Sequence, residues 1–569
     1  MATFIKLTDY SSADIKEQEF FNKKNHYTIS DKNFRSLPGG IYSYWISEKL
    51  IQNFSQYKNV KEYANGKVGC QTGSNDLFLR FWFELWTEHI AFEGSEKRWY
   101  PYNKGGTFRR WYGNNEYVVD WENNGERIKK YDGAYPRNTD FYFKSGLTWS
   151  DVKSGLLSMR KMPNNSAFDT CAPCLFSETH ENLLFAIFNS KIGQAYMDFM
   201  SSPLHYTCGA LLEVPVALPK NMESIDSIVN ECVEISKKDW DSFEISYNFL
   251  RHPLITKGAS NIEVEFDNWA KTCDEQFKRQ QYLETELNKE IISAYGLETE
   301  LNEVVDEASV TTRQANLERE VKSFISYAVG CIMGRYSLED TGVIYSGGNW
   351  DKSKYVGSFL PCEYGVMLIT DEQYFDTDLC TRVIDFIETV YGKENLNSNL
   401  NFIARALKPN SKESARKIIR SYLFDEKGFY ENHYQVYQRR PIYWMMSSGK
   451  SGGFRALIYM NRYDQNTLSI IRSELLHELR YKYEADRDLQ QKRANDANTT
   501  VERTEAKRKI TNLDKKMIEV NQYDDLVNHA TGNISEYLFD LDDGVKVNYS
   551  KFLNIDGNES QNLLVPIKL

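Results

Sequence analysis

The chain has 569 residues, 41% of them hydrophobic, with a mean hydropathy of -0.57 and a formal net charge of -11. That length is enough for three or four domains. No apolar run is long enough to cross a bilayer, and the N-terminal residues MATFIKLTDYSSADIKEQ lack the charged-then-apolar pattern of a secretory signal. Nine scattered cysteines, an odd number, favour reduced thiols over a disulfide framework, so we expect a cytoplasmic protein with no membrane association.

Short elements are predicted in the first part of the chain. Residues 1–65 form a small mixed segment with a helical run over 42–54. The glycine-punctuated stretch GKVGCQTGSNDLF predicts a tight turn into a strand or helix, without the G-x-G-x-x-G spacing of a dinucleotide site. The runs EYVVDW, DFYFKSG and SAFDTCAPCLF, separated by Gly and Asn turns, predict an antiparallel sheet with hairpins within residues 97–180.

Helices are predicted to follow. Apolar positions three or four apart predict one amphipathic helix over residues 181–200. The run LLEVPVALP then indicates a short strand closed by Pro215 and Pro219. Residues 221–250 and 262–330 have helical patterns, and the second is a long, charged helical spacer rather than a strict heptad coiled coil.

The C-terminal part is predicted to be mixed and then helical. Residues 331–465 contain turns and the helical runs TRVIDFIETVYG and KESARKIIRSYLF, and the polar ANDANTT sequence divides 466–538 into an antiparallel helical hairpin. The predicted fold class is therefore mixed α/β (α+β), with a β-rich domain, a long helical spacer and hairpin elements. The predicted divisions are an N-terminal mixed segment 1–65, a β-rich domain 66–220, a helical spacer 221–330, an α/β domain 331–465, and a helical hairpin with a tail 466–569.

Charge is distributed unevenly along the chain. Residues 97–161 contain 13 Lys or Arg and 7 Asp or Glu, a net charge of +6, which leaves -17 for the remainder. A basic region on an acidic body is typical of a selective nucleic-acid binder, because the body repels polyanions away from the site. The alternative is a chance fluctuation in a charged surface.

The stretch KRWYPYNKGGTFRRWYGN, residues 97–114, is the strongest functional signal. It interleaves five basic residues with six aromatic ones around the pair Gly105 and Gly106. Basic groups neutralise phosphates, aromatic faces stack on bases, and glycines let the backbone approach a partner closely. The alternative is a β-hairpin with an aromatic face and a charged rim, turning at Lys104-Gly105-Gly106.

Three other patterns favour structural explanations. The sequence MSSGKS, residues 446–451, ends like a phosphate-binding loop, but Trp444 stands where that motif needs a glycine, so we expect a solvated loop. Cys171 and Cys174 form one C-x-x-C, for which packing is favoured over zinc because no second close pair exists. The acidic runs at 371–378 and 540–543 lack the ligand spacing of a calcium loop.

Eight ordered stretches cover nearly the full length of the chain: residues 34–39 with 44–45, 69–76, 99–106, 110–114, 146–150, 189–191, 439–444 and 541–549. In composition and order they resemble the C-terminal portion of the PglX family, the adenine-specific DNA methyltransferases of BREX phage-defence systems. Residues 66–220 also resemble the target-recognition modules of type I restriction specificity subunits.

The resemblance implies that the complete enzyme methylates the N6 of adenine with S-adenosylmethionine. The cofactor fold and an Asn-Pro-Pro-Tyr loop for the flipped base would lie in an N-terminal half that is missing here. No two prolines are adjacent in this chain, so we expect no catalytic, cofactor-binding or metal-binding residue in it. The expected partners are double-stranded DNA, a methyltransferase catalytic domain or subunit, and other BREX proteins.

The resemblance also makes nine residues of the β-rich domain candidates for DNA binding. They are Asn103, Lys104, Gly105, Gly106, Arg109, Arg110, Trp111, Tyr112 and Trp149. Trp99, Trp111 and Tyr112 suit a core equally well, and Arg439 and Arg440 suit either phosphate anchors or salt-bridged core supports.

Two other functions remain open. The chain could be a non-catalytic interaction scaffold that docks on other BREX proteins through 262–330 and 466–538, or an enzyme with an unrecognised active site.

Overall fold

The computed structural model describes residues 2–29, 37–38, 43–94, 96–153 and 155–569. Residues 34–36 and 39 of the first ordered stretch, and residue 42 of the predicted helical run, lie outside the described residues. The fold is mixed α/β as predicted, with 50% helix and 11% strand in several small sheets. The chain divides into two compact units: unit 1 comprises Met1–Leu79, Ala91–Trp240 and Cys273–Arg313, and unit 2 comprises Arg80–Ile90, Asp241–Thr272 and Gln314–Leu569. The five-part division stays a prediction.

The strands of the described ranges are short, each of two to five residues. They are β1 (Ala2–Ile5), β2 (His26–Ile29), β3 (Asn65–Lys67), β4 (Cys70–Gln71), β5 (Leu79–Phe81), β6 (Trp99–Asn103), β7 (Tyr117–Asp120), β8 (Tyr135–Pro136), β9 (Gly146–Trp149), β10 (Met159–Met162), β11 (Ala167–Phe168), β12 (Cys174–Phe176), β13 (Val366–Leu368), β14 (Tyr443–Ser447) and β15 (Arg455–Tyr459).

The α-helices range from single turns to helices of more than thirty residues. They are α1 (Ala13–Glu19), α2 (Glu48–Gln56), α3 (Asn75–Phe78), α4 (Glu122–Lys130), α5 (Glu181–Asn189), α6 (Lys191–Met200), α7 (Cys208–Leu212), α8 (Met222–Asp241), α9 (Ile262–Tyr295), α10 (Leu317–Met333), α11 (Leu379–Tyr391), α12 (Leu396–Leu407), α13 (Ala415–Phe424), α14 (Glu431–Val436), α15 (Thr467–Ile470), α16 (His477–Asp496), α17 (Thr500–Gly532), α18 (Ile534–Tyr537) and α19 (Gly544–Ser550).

The β-rich part of unit 1 contains two main sheets. One has the order β10-β9-β12-β3, with every neighbouring pair antiparallel. In the other, β6 pairs antiparallel with β7 but parallel with β11. The prediction of an antiparallel sheet is therefore wrong for β11. A parallel pair needs a long crossover, and here residues 104–166 supply it.

The single helix predicted over residues 181–200 is two helices, α5 and α6, separated at Ser190. Ser190 has extended backbone angles, and its hydroxyl accepts a hydrogen bond from the Ile192 N–H, which caps α6. A Cβ at Gly193 would lie 2.6 Å from the Ile187 carbonyl oxygen, so the two helices pack closely there. Their apolar side chains form the centre of the unit 1 core: Leu183, Leu184, Phe185, Ile187, Phe188, Ile192 and Tyr196.

The prediction of a strand in LLEVPVALP is wrong. The helix α7 covers the start of this run, and within the described chain Pro215 makes only an isolated bridge with Asn59. Proline has no N–H to donate, so two prolines in this run weaken any ladder.

Unit 2 contains a three-stranded antiparallel sheet of order β13-β15-β14, whose strands are almost entirely buried. The helices α10 to α14 also belong to this unit. The predicted spacer over 262–330 is not one helix: α9 ends at Tyr295, Gly296 has a φ of +65°, and α10 begins at Leu317. A left-handed glycine directly after a helix is a common stop signal.

The predicted helical hairpin is present in unit 2 as α16 and α17. The ANDANTT sequence ends α16 and supplies the cap of α17, because the Thr499 side chain accepts from the Glu502 N–H while the Glu502 side chain accepts from the Thr499 N–H. Arg487 of α16 and Asp514 of α17 lie 2.6 Å apart across the hairpin.

The MSSGKS loop, expected to be solvated, joins β14 to β15 and packs against α17. The backbone N–H groups of Ser451 and Gly453 donate to the Glu519 carboxylate at 2.7 and 3.2 Å, and the Ser448 hydroxyl donates to it at 3.3 Å. The loop therefore holds an anion, but that anion is a side chain of the same unit.

Three further sequence features concern membrane spans, cysteines and metal ligands. No helix in the described ranges combines the length and apolarity needed to cross a membrane. All nine cysteines are free thiols. Cys171 is exposed, whereas Cys174 is buried with its Sγ 3.5 Å from Met162 Sδ, and no group of three or more possible metal ligands gathers among the described residues.

Candidate nucleic-acid interface

The candidate stretch lies on β6 and on the connection from β6 to β7. The two strands pair antiparallel from Trp99 opposite Asp120 to Tyr102 opposite Tyr117, so a hairpin is present. Its connection covers residues 104–116 instead of turning tightly at the glycine pair. On the other side, β6 pairs with β11, so β6 is covered along both edges.

Asn103 and Lys104 begin the connection with partners inside unit 1. Asn103 is 3% exposed, and its amide nitrogen donates to the Thr148 hydroxyl. Lys104 is half-buried with its Nζ 3.5 Å from Asp169 Oδ2, and Asp169 also accepts a 2.9 Å hydrogen bond from the Tyr102 hydroxyl. Burial and the nearby Asp169 raise the pKa of Tyr102, which keeps the phenol protonated as this donor.

The glycine pair is required by backbone shape and close packing. Gly105 and Gly106 have φ of +88° and +132°, which L side chains rarely adopt. A Cβ at Gly106 would lie 2.7 Å from Asn114 Nδ2, and that amide donates to the Thr107 carbonyl. The Ser150 hydroxyl donates to the Gly106 carbonyl at 3.0 Å. The pair therefore forms a fixed turn that leaves Gly106 and Thr107 exposed.

Arg109 is held in a buried network. Its Nη2 lies 2.5 Å from Asp239 Oδ2 of α8, and its Nε donates to the Tyr112 carbonyl at 2.9 Å. The guanidinium also lies 4.9 Å from the ring centroid of Trp240. Asp239 accepts from Arg313 as well, with both carboxylate oxygens 3.2 Å from Arg313 Nε. One carboxylate thus holds two guanidinium groups.

Arg110 and Trp111 share a second buried carboxylate. Arg110 Nη1 and Trp111 Nε1 donate to the two oxygens of Glu284, on α9, at 3.0 and 2.7 Å. Trp111 is fully buried with a φ of +71°, a marked outlier for a bulky residue. Its backbone N–H donates to the Met159 carbonyl, and its carbonyl accepts from the Lys161 N–H, so the strained residue is fixed against β10.

Trp149 and Arg160 complete this interior. Trp149 is fully buried, and its indole N–H donates to the Tyr206 carbonyl at 2.8 Å. Arg160 is also fully buried and donates to the Arg109 carbonyl at 3.4 Å. Burial lowers the pKa of Arg160 to about 10. Sequence reasoning missed Arg160 as an interior cation because its burial follows from packing and not from local spacing.

No family model matches the chain. The chain is 36% identical over 598 residues to the adenine-specific methyltransferase PglX of Lacticaseibacillus casei (strain Zhang), covering 100% of this chain and 49% of that protein. It is 33% identical over 583 residues to the adenine-specific methyltransferase BrxX of Escherichia coli O9:H4 (strain HS), covering 96% of this chain and 47% of that protein.

The chain belongs to the PglX family. It spans about half the length of the curated relatives that it matches. The resemblance stated from the ordered motifs is therefore confirmed.

In this PglX-family chain, the nine candidate residues differ in accessibility. Seven are buried, Lys104 is half-buried and Gly106 is exposed; the buried ones are Asn103, Gly105, Arg109, Arg110, Trp111, Tyr112 and Trp149. Their DNA contact stays a prediction, and the guanidinium groups of Arg109 and Arg110 already bind carboxylates of unit 1.

Trp99, which suited stacking or core equally, is fully buried. Arg439 is exposed at a φ of +63°, and Arg440 is half-buried. Neither forms an ion pair within 4 Å among the described residues, although Arg440 acts on the buried Glu84 carboxyl and lowers its pKa against the larger effect of burial. Both roles stay predictions.

Proposed function

We propose that this chain is the DNA-recognition and C-terminal part of a BREX-type, site-specific adenine DNA methyltransferase. The observation that carries the proposal is the similarity over the whole chain to adenine-specific methyltransferases, of which the chain spans about half. The complete enzyme would bind duplex DNA in the cytoplasm, flip an adenine and methylate its N6 with S-adenosylmethionine, as part of phage defence.

Methyl transfer itself is proposed to reside outside this sequence. The resemblance implies that an Asn-Pro-Pro-Tyr loop holds the flipped adenine, and no two prolines are adjacent in this sequence. The partners of this chain would then be duplex DNA, the catalytic domain and other BREX proteins.

Unit 1 supports the recognition role through its rigidity and its charge. Residues 97–161 carry a net charge of +6, and buried ion pairs with Asp239 and Glu284 hold the connection between β6 and β7 in one shape. Recognition of DNA depends on contact groups being fixed before binding, because ordering them on the DNA costs affinity. In this proposal Arg109 and Arg110 act mainly as supports, and Lys104 remains partly accessible for phosphate contact.

The second candidate function, an interaction scaffold, is favoured by one observation. The hairpin of α16 and α17 exposes several large apolar side chains: Tyr481 at 57%, Leu489 at 47%, Val501 at 75% and Ile518 at 59%. Exposed apolar groups on long helices suit docking of another protein.

Titration of the full chain against fluorescent duplex DNA, repeated from 50 to 300 mM salt, tests the proposal. We expect an affinity that falls steeply as salt rises, because Lys and Arg displace counterions from phosphates. Adding the chain to a separately produced catalytic half should increase adenine methylation, and the chain alone should transfer no methyl group. Binding to BREX proteins without any duplex binding would support the scaffold instead, and methylation by the chain alone would contradict both.

A further inference from the structure

Left-handed backbone is concentrated in one part of unit 1. Among the described residues, seven of the eleven non-glycine residues with positive φ fall within residues 111–165: Trp111, Asn114, Asn123, Asn124, Asn138, Phe143 and Asn165. Such conformations persist only where surrounding structure enforces them, and they are frequent at functional sites. The buried ones, Trp111 and Asn114, belong to the connection described above, whereas Asn123 and Asn124 are exposed and lie outside it.

Asn123, Asn124 and Gly125 form one complete left-handed turn at the start of α4. Their φ and ψ values are 49° and 46°, 60° and 38°, and 69° and 30°. A Cβ at Gly125 would lie 2.7 Å from Cε3 of Trp121, so the buried indole packs directly against the turn. The turn therefore packs on its interior side against Trp121.

The two asparagine side chains are free to bind a ligand. Both residues are exposed. Neither amide makes a hydrogen bond to another residue within the described ranges. A strained turn that presents two unused amides to solvent has no evident role in stabilising unit 1.

A groove with an aromatic wall lies beside these amides. The cavity measures about 550 Å³, and its lining includes Tyr100, Trp121 and Phe143 together with both asparagines. Phe143 lies 4.9 Å from Tyr100 and 6.4 Å from Trp121, measured between ring centroids. Phe143 also has a φ of +65°, so this wall, like the amide turn, contains left-handed backbone.

Charged groups of both signs line the same groove. Lys97 and Arg98 lie in it beside Glu96 and Glu122. Lys129 is exposed, with its Nζ 5.5 Å from the Trp121 ring centroid. A purely cationic groove suits phosphates alone, whereas base edges present donors and acceptors together, which amides and carboxylates match.

We propose that Asn123 and Asn124 read base edges of duplex DNA in this groove, with Lys97 and Lys129 on the flanking phosphates. Asparagine forms a two-point hydrogen-bond pair with adenine N6 and N7, which is a sequence-specific contact. The proposal rests on the proposed function and names where recognition occurs. It places base reading in an accessible part of the basic region, away from the buried side chains of Arg109, Arg110 and Trp111.

The test uses the full chain and the double substitution N123G/N124G. Glycine adopts left-handed angles freely, so the turn keeps its shape while both amides are removed. The control is N410G, because Asn410 is also exposed, at a φ of +62°, but lies in unit 2. A duplex selected from a random library by the unmodified chain is compared with a scrambled duplex of the same composition. Melting temperatures confirm that all variants fold.

N123G/N124G is expected to lose about tenfold or more of the preference for the selected duplex, while its affinity for the scrambled duplex and its salt dependence stay unchanged. N410G should match the unmodified chain. The double substitution K97A/K129A should weaken both duplexes equally and flatten the salt dependence. A full preference in N123G/N124G would overturn the base-reading role, as would an unmodified chain that binds every duplex alike. An unmodified chain that binds no duplex would overturn the proposed function too.

Discussion

Arg109 and Asp239 form an ion pair that solvent scarcely reaches, with Nη2 2.5 Å from Oδ2 and the two side chains 9% and 4% exposed. The pair connects the loop after β6 to helix α8, 130 residues later in the chain. Without Asp239, Arg109 would be a buried cation with no carboxylate partner, whereas Asp239 without Arg109 still accepts from Arg313. Arg109, one of the nine candidates for DNA binding, is thus held in the interior as a support of the loop.

Replacing Arg109 by Ala should lower the free energy of unfolding of unit 1 by about 1.5–3 kcal/mol, because Asp239 would lose one of its two guanidinium partners and the Tyr112 carbonyl would lose its donor. Urea unfolding followed by tryptophan fluorescence measures the change. The control is Arg279→Ala, which breaks the exposed ion pair with Glu231 at side-chain exposures of 47% and 39% and should cost at most about 1 kcal/mol. Normal stability with lost DNA binding in R109A would show instead that Arg109 contacts DNA.

Two glycines with positive φ should respond differently to a methyl group. A Cβ at Gly113 would lie 2.6 Å from Arg109 Cδ and 2.8 Å from Trp240 Cε3, whereas a Cβ at Gly133 would meet nothing within 4 Å. G133A should cost only the left-handed strain of about 1–2 kcal/mol. G113A should cost clearly more, because the neighbouring guanidinium and indole are held in place. Thermal melting of both variants measures the two losses of stability. Equal losses would contradict the packing described around Arg109.

Stability of unit 2 should depend on pH through Glu244. Its carboxyl group is buried and accepts a 2.6 Å hydrogen bond from the Ser326 hydroxyl, and burial raises its pKa to about 7. Between the unfolded pKa near 4.5 and this value the folded state binds more protons than the unfolded state, so the Glu244 contribution falls as pH rises through that window. Relative to E244Q, the unmodified chain should lose about 2–3 kcal/mol of stability between pH 5 and pH 8.

Two buried histidines change the stability with pH in the opposite direction to Glu244, and comparison with E244Q removes their effect. His252 and His433 are buried, and burial lowers the pKa of each to about 3. Their unfolded forms take up protons below about pH 6.5, so stability falls as pH falls through that range, in the unmodified chain and in E244Q alike. A difference between the two chains that does not change with pH would contradict the raised pKa of Glu244.

Glu519 should anchor the helical hairpin of unit 2 to the loop between β14 and β15. E519A removes the acceptor of two backbone N–H groups and one hydroxyl, so a loss of about 2 kcal/mol or more is expected. Hydrogen exchange at the amides of Ser451 and Gly453 should become faster. The matched control on the same helix is E505A, since Glu505 is exposed, and its effect should stay within about 0.5 kcal/mol. Unchanged exchange at both amides would show that water replaces the carboxylate without consequence.

Local patterns in the sequence predict the elements that are specified by neighbouring residues, such as capped helices and hairpins. The polar break before Thr499 predicts the hairpin of α16 and α17, and the same residues cap α17. The ordered motifs identify the family, and β-rich runs such as EYVVDW predict the antiparallel pairing of β6 with β7. The break at Ser190 was missed because apolar spacing alone does not show where a helix stops to pack against its own continuation.

Tertiary structure alone decided what the charged and aromatic side chains of the candidate stretch do. Arg109 meets a carboxylate 130 residues away and Arg110 one 174 residues away, and no spacing rule relates such positions. The same sequence of basic and aromatic residues is compatible with a nucleic-acid surface or with a buried ion-paired framework, because both need cations beside rings. Whether a surface or a framework forms depends on whether the fold places carboxylates from distant helices against the guanidinium groups. Local sequence does not contain that information, because the partners are distant in the chain.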